Sequence, residues 1–195
     1  MAKPRKHKRS AVIITTIFLL IFAVVGYFVL SGYIEKQIYM LKHENIIEQM
    51  SSKYELDPYL VCAVIYSESK FDDDVVSSAG AVGLMQIMPA TGEWIANKAG
   101  ISEYSKSALT DPKMNIQLGC WYLNYLEKKF DGNTDLMVAA YNAGPQKVTT
   151  WLNDSTLSSD GKTLSSIPYK ETENYVKRIN SAYEKYKRIY KDTFK

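Results

Sequence analysis

From Ala11 to Gly32 the chain runs AVIITTIFLLIFAVVGYFVLSG without a single charge. As a helix rising 1.5 Å per residue, that run would extend roughly 33 Å, enough to cross a hydrocarbon core about 30 Å thick. Beyond it, Ile34, Ile38 and Leu41 keep helical spacing, and Ile46, Ile47 and Met50 resume it after a phase shift. The pattern over 33–53 predicts a juxtamembrane helix running into a domain. Asp57-Pro58 reads as a helix start: a capping carboxylate, then a residue whose φ is already helical. The helix it opens, Tyr59 to about Ser69, carries the i,i+4 apolar pairs Leu60/Val64 and Val61/Ile65. A loop follows over Phe71–Gly83, then helices near Ala90–Ala99, Asn115–Lys129, Leu136–Tyr141 and Glu171–Tyr190. No stretch sustains an alternation of period two, so the body is expected to be all-α. Asn153–Ser166 is polar, holds TLSS twice, and reads as a flexible surface loop.

Charge sharpens the picture of the apolar run. Of the 24 Lys and Arg, five precede it (Lys3, Arg5, Lys6, Lys8 and Arg9), with no acid among them. The residues after Gly32 hold the other 19 against 21 acidic side chains, a net charge of −2. The basic excess thus belongs to the tail, which argues against a nucleic-acid-binding body. By the positive-inside rule the N-terminus lies in the cytoplasm and the body outside it. A cleaved signal peptide would have an apolar region of only ~7–15 residues and an A-x-A-like site after it. Neither is present, so an uncleaved single-pass anchor at the cell membrane is expected. The organisation expected is a cytoplasmic basic tail at 1–10, a transmembrane anchor at 11–32, a helical stalk at 33–44 and one globular domain at 45–190.

Histidine and cysteine usage excludes whole classes of chemistry. The two histidines are His7, in the tail, and His43, just beyond the apolar run. The body therefore has no material for a Ser-His-Asp or Cys-His nucleophile or for an HExxH zinc site. Cys62 and Cys120 form no CxxC motif; a disulfide between them and two buried thiols both fit their apolar, helix-like surroundings. No metal or organic cofactor is indicated. Carboxylates, hydroxyls, amides and phenols remain.

Four segments concentrate those groups: YSESKF (66–71), SSAGAVGLMQIMPATG (77–92), AAYNAGP (139–145) and IPYKETENYVKRI (167–179). Glu68 ends an apolar helix, where the negative end of the helix dipole disfavours a carboxylate. Packing by Ile65 and Phe71 would desolvate it and raise its pKa further. A carboxylic acid held protonated near neutral pH is what general-acid cleavage of a glycosidic bond requires. On spacing alone the simpler reading is a solvated glutamate in a last helical turn. The glycines and amides of the other segments favour the acid. Gly80, Gly83, Gly92 and Gly144 let backbone approach a ligand, and Gln86 and Asn142 offer a donor and an acceptor each to an N-acetyl sugar. Trp94 and Trp121 are assigned to helix packing.

In order along the chain, ES-x-F, S-x-x-G-A-x-G-L-M-Q-x-M-P, N-I-x-L-G-x-x-Y-L (115–123), A-x-Y-N-A-G-P and I-P-x-x-E-T-x-x-Y-V resemble the soluble lytic transglycosylase (SLT) domain. That family belongs to the goose-type-lysozyme-like superfamily acting on peptidoglycan, and the likeness covers about Asn45 to Tyr190. It implies a lysozyme-like helical domain with Glu68 at the floor of a saccharide cleft. Glu68 matches the family's catalytic glutamate, and Tyr175 the tyrosine whose hydroxyl lies beside that carboxyl. Ser69, Ser77, Met85, Gln86, Tyr141 and Asn142 match positions of the substrate groove. The chain departs from the family's usual pattern in three places: Lys70 where Gly is frequent, Ser78 where Pro is common, and the run Asp72-Asp73-Asp74 for Asn-Pro. Lys70 is expected to face solvent.

The activity implied is cleavage of the β-1,4 bond between N-acetylmuramic acid and N-acetylglucosamine with formation of a 1,6-anhydro product, Glu68 serving as acid and then base. The expected partners are peptidoglycan strands and the membrane, with no nucleic acid, for a monomeric domain able to join envelope machinery. A hydrolytic muramidase using Asp72, Asp73 or Asp74 as second carboxylate is one alternative. A non-catalytic glycan-binding module anchored at the envelope is the other, though it would have no need of Glu68 and Tyr175.

Overall fold

A computed structural model describes residues 5–194. Of the expected basic tail, residues 1–4 lie outside the described residues. The chain forms two compact units, Met1–Met40 and Leu41–Lys195. The first is a single helix, α1 (Arg5–Ile38), whose side chains from Val12 to Leu30 are all exposed. By length and composition it can cross a membrane over Val12–Ile38.

The second unit comprises α2 (Glu44–Lys53), α3 (Pro58–Ser69), α4 (Pro89–Ala99), a 3-10 helix (Lys106–Thr110), α5 (Pro112–Lys129), α6 (Thr134–Ala143), α7 (Pro145–Leu152) and α8 (Lys170–Ile189). Among the described residues there is no strand, only two isolated antiparallel bridges, Val76 to Val82 and Val82 to Ile87. The fold is all-α. The single helix expected over 33–53 is instead broken at the phase shift: α1 ends at Ile38 and α2 begins at Glu44 after a left-handed His43 (φ 58°).

The centre of the domain is α3. Asp57 accepts a hydrogen bond from the Tyr59 backbone N–H at 2.8 Å, and Pro58 opens the helix. Leu60, Val61, Cys62, Ala63, Val64 and Ile65 are all buried, as befits a helix apolar on every side. Each large aliphatic side chain among them contributes roughly 1.5–3 kcal/mol of burial. The helix α8 lies beside α3 and runs antiparallel to it, offering Thr172, Tyr175, Val176, Ile179, Ala182 and Tyr186 at i, i+3 and i+4 spacing. Two bonds fasten the pair at one end: Tyr183 Oη donates to Asp57 at 2.6 Å, and Tyr59 Oη donates to the Tyr190 carbonyl at 2.8 Å. The other end of the pair carries Glu68 and Tyr175. Around it, α6 packs on α8 and α5, and α2 on α3 and α5.

Two elements differ from the pattern-based expectation. The helix expected from Asn115 begins earlier, at Pro112, because Asp111 accepts from the Met114 N–H at 2.8 Å. That is the Asp-Pro start of α3 used a second time. The motif AAYNAGP is a joint: α6 ends at Ala143, Gly144 turns with φ 89°, and Pro145 opens the unexpected α7. The polar loop after α7 is tied by its own aspartates. Asp154 accepts from the Thr156 N–H and hydroxyl, and Asp160 accepts from the N–H groups of Lys162 and Thr163, which lowers the Asp160 carboxyl to about 2. Cys62 and Cys120 are both buried free thiols.

Candidate active site

Glu68 stands in the last turn of α3, and what ends that helix also fixes the carboxylate. Lys70 (φ 56°) and Phe71 (φ 62°) are consecutive left-handed residues, and the Lys70 N–H bonds back to the Tyr66 carbonyl. A left-handed non-glycine residue costs about 1–2 kcal/mol. Here the strain is offset by Phe71, whose ring is fully buried, and by the Lys70 ammonium lying 3.7 Å from the Tyr66 ring centroid. Lys70 is exposed, as expected.

The Tyr175 hydroxyl donates to Glu68 Oε1 at 2.6 Å, from a side chain only 2% exposed. Burial raises the Glu68 carboxyl above the ordinary range; the Tyr175 hydrogen bond and the nearby Arg178 guanidinium pull it back only in part. No second carboxylate contributes to that shift. Burial, and then the Glu68 charge, push the phenols of both Tyr175 and Tyr141 well up, so each stays a hydroxyl donor.

The remaining groove is built on the loop between α3 and α4. Asn115 of α5, 1% exposed, holds that loop from beneath: its Oδ1 accepts from the Met85 N–H at 2.7 Å, and its Nδ2 donates to the carbonyls of Val82 (2.9 Å) and Leu109 (2.7 Å). Gly83 sits directly over it with φ 76°, where a Cβ would lie 2.5 Å from both Asn115 Nδ2 and the Leu109 carbonyl. Met85 is fully buried and fills the space left by Gly119, while its carbonyl accepts from the Tyr141 hydroxyl at 2.8 Å. Gln86 is left-handed (φ 49°) and donates its Nε2 to the carbonyls of Val75 (3.1 Å) and Gly83 (2.9 Å). Among the described residues nothing donates to Gln86 Oε1. Asn142 accepts from the Thr172 hydroxyl at 2.8 Å, which leaves its amide N–H groups unpaired there.

Gln86, Tyr141 and Asn142 line one pocket of about 290 Å³, together with Met88, Thr91 and Tyr122. Three other sequence-predicted residues sit differently. Ser69 is buried and its hydroxyl donates to the Ile65 carbonyl of its own helix. Ser77 Oγ accepts from the Ala81 N–H and shapes the loop. Met85 is fully buried, with its N–H and carbonyl taken by Asn115 and Tyr141. Asn115, Thr172 and Arg178 were not singled out from sequence as site residues; Asn115 stands in the quoted N-I-x-L-G stretch, which carried no hint of its three hydrogen bonds. Asp72 accepts from the Asp74 N–H, and Asp73 pairs with His43 Nε2 at 2.8 Å. Among the described residues no group of His, Cys, Asp and Glu is arranged to hold a metal ion.

Comparison with known proteins meets this geometry. The family model for the transglycosylase SLT domain matches residues 45–164. The chain belongs to the transglycosylase SLT domain family. Over 152 residues it is 38% identical to the soluble lytic murein transglycosylase of Escherichia coli K12, an overlap covering 77% of this chain and 23% of that protein. It is 28% identical over 165 residues to the membrane-bound lytic murein transglycosylase C of Glaesserella parasuis, covering 74% of this chain and 45% of the relative. The crystal structure of the 70 kDa soluble lytic transglycosylase of Escherichia coli superposes with a TM-score of 0.74 at 33% identity, covering 82% of this chain and 26% of that one. The SLT domain here thus spans about a quarter of the length of the soluble relatives it matches, and shares their lysozyme-like fold.

Proposed function

We propose that the protein is a membrane-anchored peptidoglycan lytic transglycosylase that cleaves the β-1,4 bond between N-acetylmuramic acid and N-acetylglucosamine. The observation that carries this reading is the Tyr175 hydroxyl held 2.6 Å from Glu68, a carboxyl that burial shifts upward. Glu68 gives its proton to the bridging oxygen as the C1–O bond breaks, and the bonding pair leaves with that oxygen. The muramic C6 hydroxyl then attacks C1 and returns its proton to the Glu68 carboxylate, closing a 1,6-anhydro ring and restoring the acid. No water is consumed and a single carboxylate suffices. Tyr175 orients that carboxylate, and the free carbonyl of Gln86 with the free amide of Asn142 suits the N–H and C=O of an N-acetyl group. Ser69, Ser77 and Met85 support the groove through backbone and loop contacts, while Tyr141 lines it.

Residues 11–32 anchor the chain in the membrane, the basic tail lies in the cytoplasm, and 45–190 act on glycan strands outside, reached through the stalk at 33–44. The test is digestion of purified peptidoglycan by the full chain in detergent, with mass spectrometry of the products. Muropeptides one water lighter than reducing ones, absent with Glu68→Gln, are expected. Reducing ends instead would make the enzyme a hydrolase, and binding without any product would make it a glycan-binding module.

A further inference from the structure

Two cations flank the acid, and no anion of the chain answers them. Lys70 follows Glu68 by two residues at the end of α3, and its ammonium lies 3.7 Å from the Tyr66 ring centroid. Arg178 stands one turn past Tyr175 on α8, its guanidinium carbon 5.5 Å from the centroid of the ring whose hydroxyl holds Glu68. Both side chains are exposed, within reach of a ligand at Glu68. The two charges feel each other. Burial and then the Arg178 charge lower the Lys70 ammonium; burial raises the Glu68 carboxyl, and Arg178, after the Tyr175 hydroxyl, draws it back.

Like charges brought together repel, and a carboxylate between them relieves the repulsion. The chain supplies none. Among the described residues the ion pairs are His43–Asp73, Lys170–Glu173 and Lys177–Glu173, and Lys70 and Arg178 enter none of them. The acids nearest Lys70 in sequence are engaged elsewhere: Glu68 accepts the Tyr175 hydroxyl, Asp72 accepts the Asp74 N–H, and Asp73 pairs with His43. A strand of N-acetylglucosamine is neutral and would leave the two cations unanswered. Peptidoglycan adds a short peptide on the lactyl group of N-acetylmuramic acid, with carboxylates on its acidic residue and its C-terminus. The lactyl carboxyl itself is spent in the amide bond to that peptide. A planar guanidinium beside a compact ammonium suits such a carboxylate. Neither residue is a groove position of the family likeness, and Lys70 departs from its pattern.

We propose that Lys70 and Arg178 bind a carboxylate of the peptide stem on N-acetylmuramic acid, next to the bond at Glu68, so that the chain favours strands with acidic stems over bare ones. That role rests on the groove beside Glu68 being a glycan site. A bound carboxylate neutralises Arg178 and removes its pull on Glu68, which leaves the acid more firmly protonated on the correct substrate.

The test titrates the full chain carrying Glu68→Gln, in detergent, by calorimetry, so that loss of Arg178 cannot act through the acid. The probes are a tetrasaccharide of N-acetylglucosamine and N-acetylmuramic acid with its stem peptides, the same compound with its carboxyls amidated by carbodiimide and methylamine, and the tetrasaccharide stripped of its peptides by an amidase. The acidic compound is expected to bind about tenfold tighter than the amidated one, with a preference that shrinks as salt is raised. Lys70→Gly, which suits the left-handed backbone, and Arg178→Gln should each weaken the acidic compound about three- to fivefold and leave the amidated one unchanged. Arg178→Lys, which keeps the charge, should recover most of that loss. Equal affinity for the acidic and amidated compounds overturns the site, as do variants that weaken both alike or a parent that binds neither. Stripped strands carry only lactyl carboxylates; if they bind as tightly as the acidic compound and depend equally on Lys70 and Arg178, the stem is not the ligand. Digestion of peptidoglycan by the unsubstituted chain separates the two readings. Anhydro products with no carboxylate preference sink the stem site alone; a preference that depends on Lys70 and Arg178 without products leaves the stem site and removes the catalytic reading.

Discussion

Tyr175 and Glu68 are 107 residues apart in sequence and joined by a 2.6 Å hydrogen bond across the α3–α8 pair. The donor favours the ionised carboxylate, while burial favours the neutral acid and outweighs it. Tyr175 thus holds the carboxyl in place at some expense to its acidity shift.

Tyr175→Phe separates those two effects. Loss of the donor raises the Glu68 pKa further, so the alkaline limb of the pH–activity curve moves to higher pH. Loss of positioning lowers kcat about 10- to 100-fold with KM little changed. Turnover of soluble glycan strands measured across pH checks both. An alkaline limb that stays in place would show that Tyr175 does not tune Glu68.

Glu68 also predicts a stability signature. Its folded pKa is raised, so its contribution is complete below the unfolded value of about 4.3 and is lost as pH rises through the folded value. Wherever that carboxylate ionises in the fold, its burial is a net burden that an amide does not carry. Glu68→Gln should therefore melt higher than the parent at pH 7, with the gap narrowing toward pH 4. Thermal melts of both chains over that range measure it, and a gap independent of pH would mean that Glu68 titrates normally.

Beneath the groove, Gly83 and Asn115 are coupled. Asn115→Ala abandons a buried N–H and two carbonyls and should cost about 2–4 kcal/mol. Gly83→Ala drives a Cβ to 2.5 Å from both Asn115 Nδ2 and the Leu109 carbonyl at φ 76°, and should cost about 3 kcal/mol or more. The double variant removes one of the two clashes, so its loss should fall short of the sum by roughly 1 kcal/mol. Urea unfolding of the four chains completes the cycle; strict additivity would mean that the loop moves away from α5 instead.

Much of this was legible locally. Asp57-Pro58 marks α3, the apolar run from Leu60 to Ile65 marks a buried helix, and the spacing of Tyr175, Val176, Ile179 and Ala182 marks the inner face of α8. The upward shift of Glu68 also followed from its place at a helix end between Ile65 and Phe71, both fully buried. The pairing with Tyr175 had no local signal and came through family resemblance, because nothing short of the fold brings residues so distant together. Asp111-Pro112 carries the same helix-start chemistry as Asp57-Pro58, three residues ahead of the start expected at Asn115, and the Pro of AAYNAGP opens the eight-residue α7, for which the pattern predicts no helix. Asn115 and Gly83 act through each other, so neither is recognisable alone.

Asp72, Asp73 and Asp74 decide between lyase and hydrolase. A hydrolase would need one of them to hold a water against the sugar, on the far side from Glu68. In the fold two are already engaged: Asp72 accepts the Asp74 N–H at 3.1 Å and closes a turn, and Asp73 pairs with His43 at 2.8 Å. None perturbs Glu68. Changing each in turn to Asn should therefore leave the rate on peptidoglycan within about threefold and the anhydro products unchanged, because a partly exposed pair such as His43–Asp73 is worth at most about 1 kcal/mol. A loss of a hundredfold or more from any one of them, with reducing ends among the parent's products, would move the second carboxylate into the reaction and make the chain a muramidase.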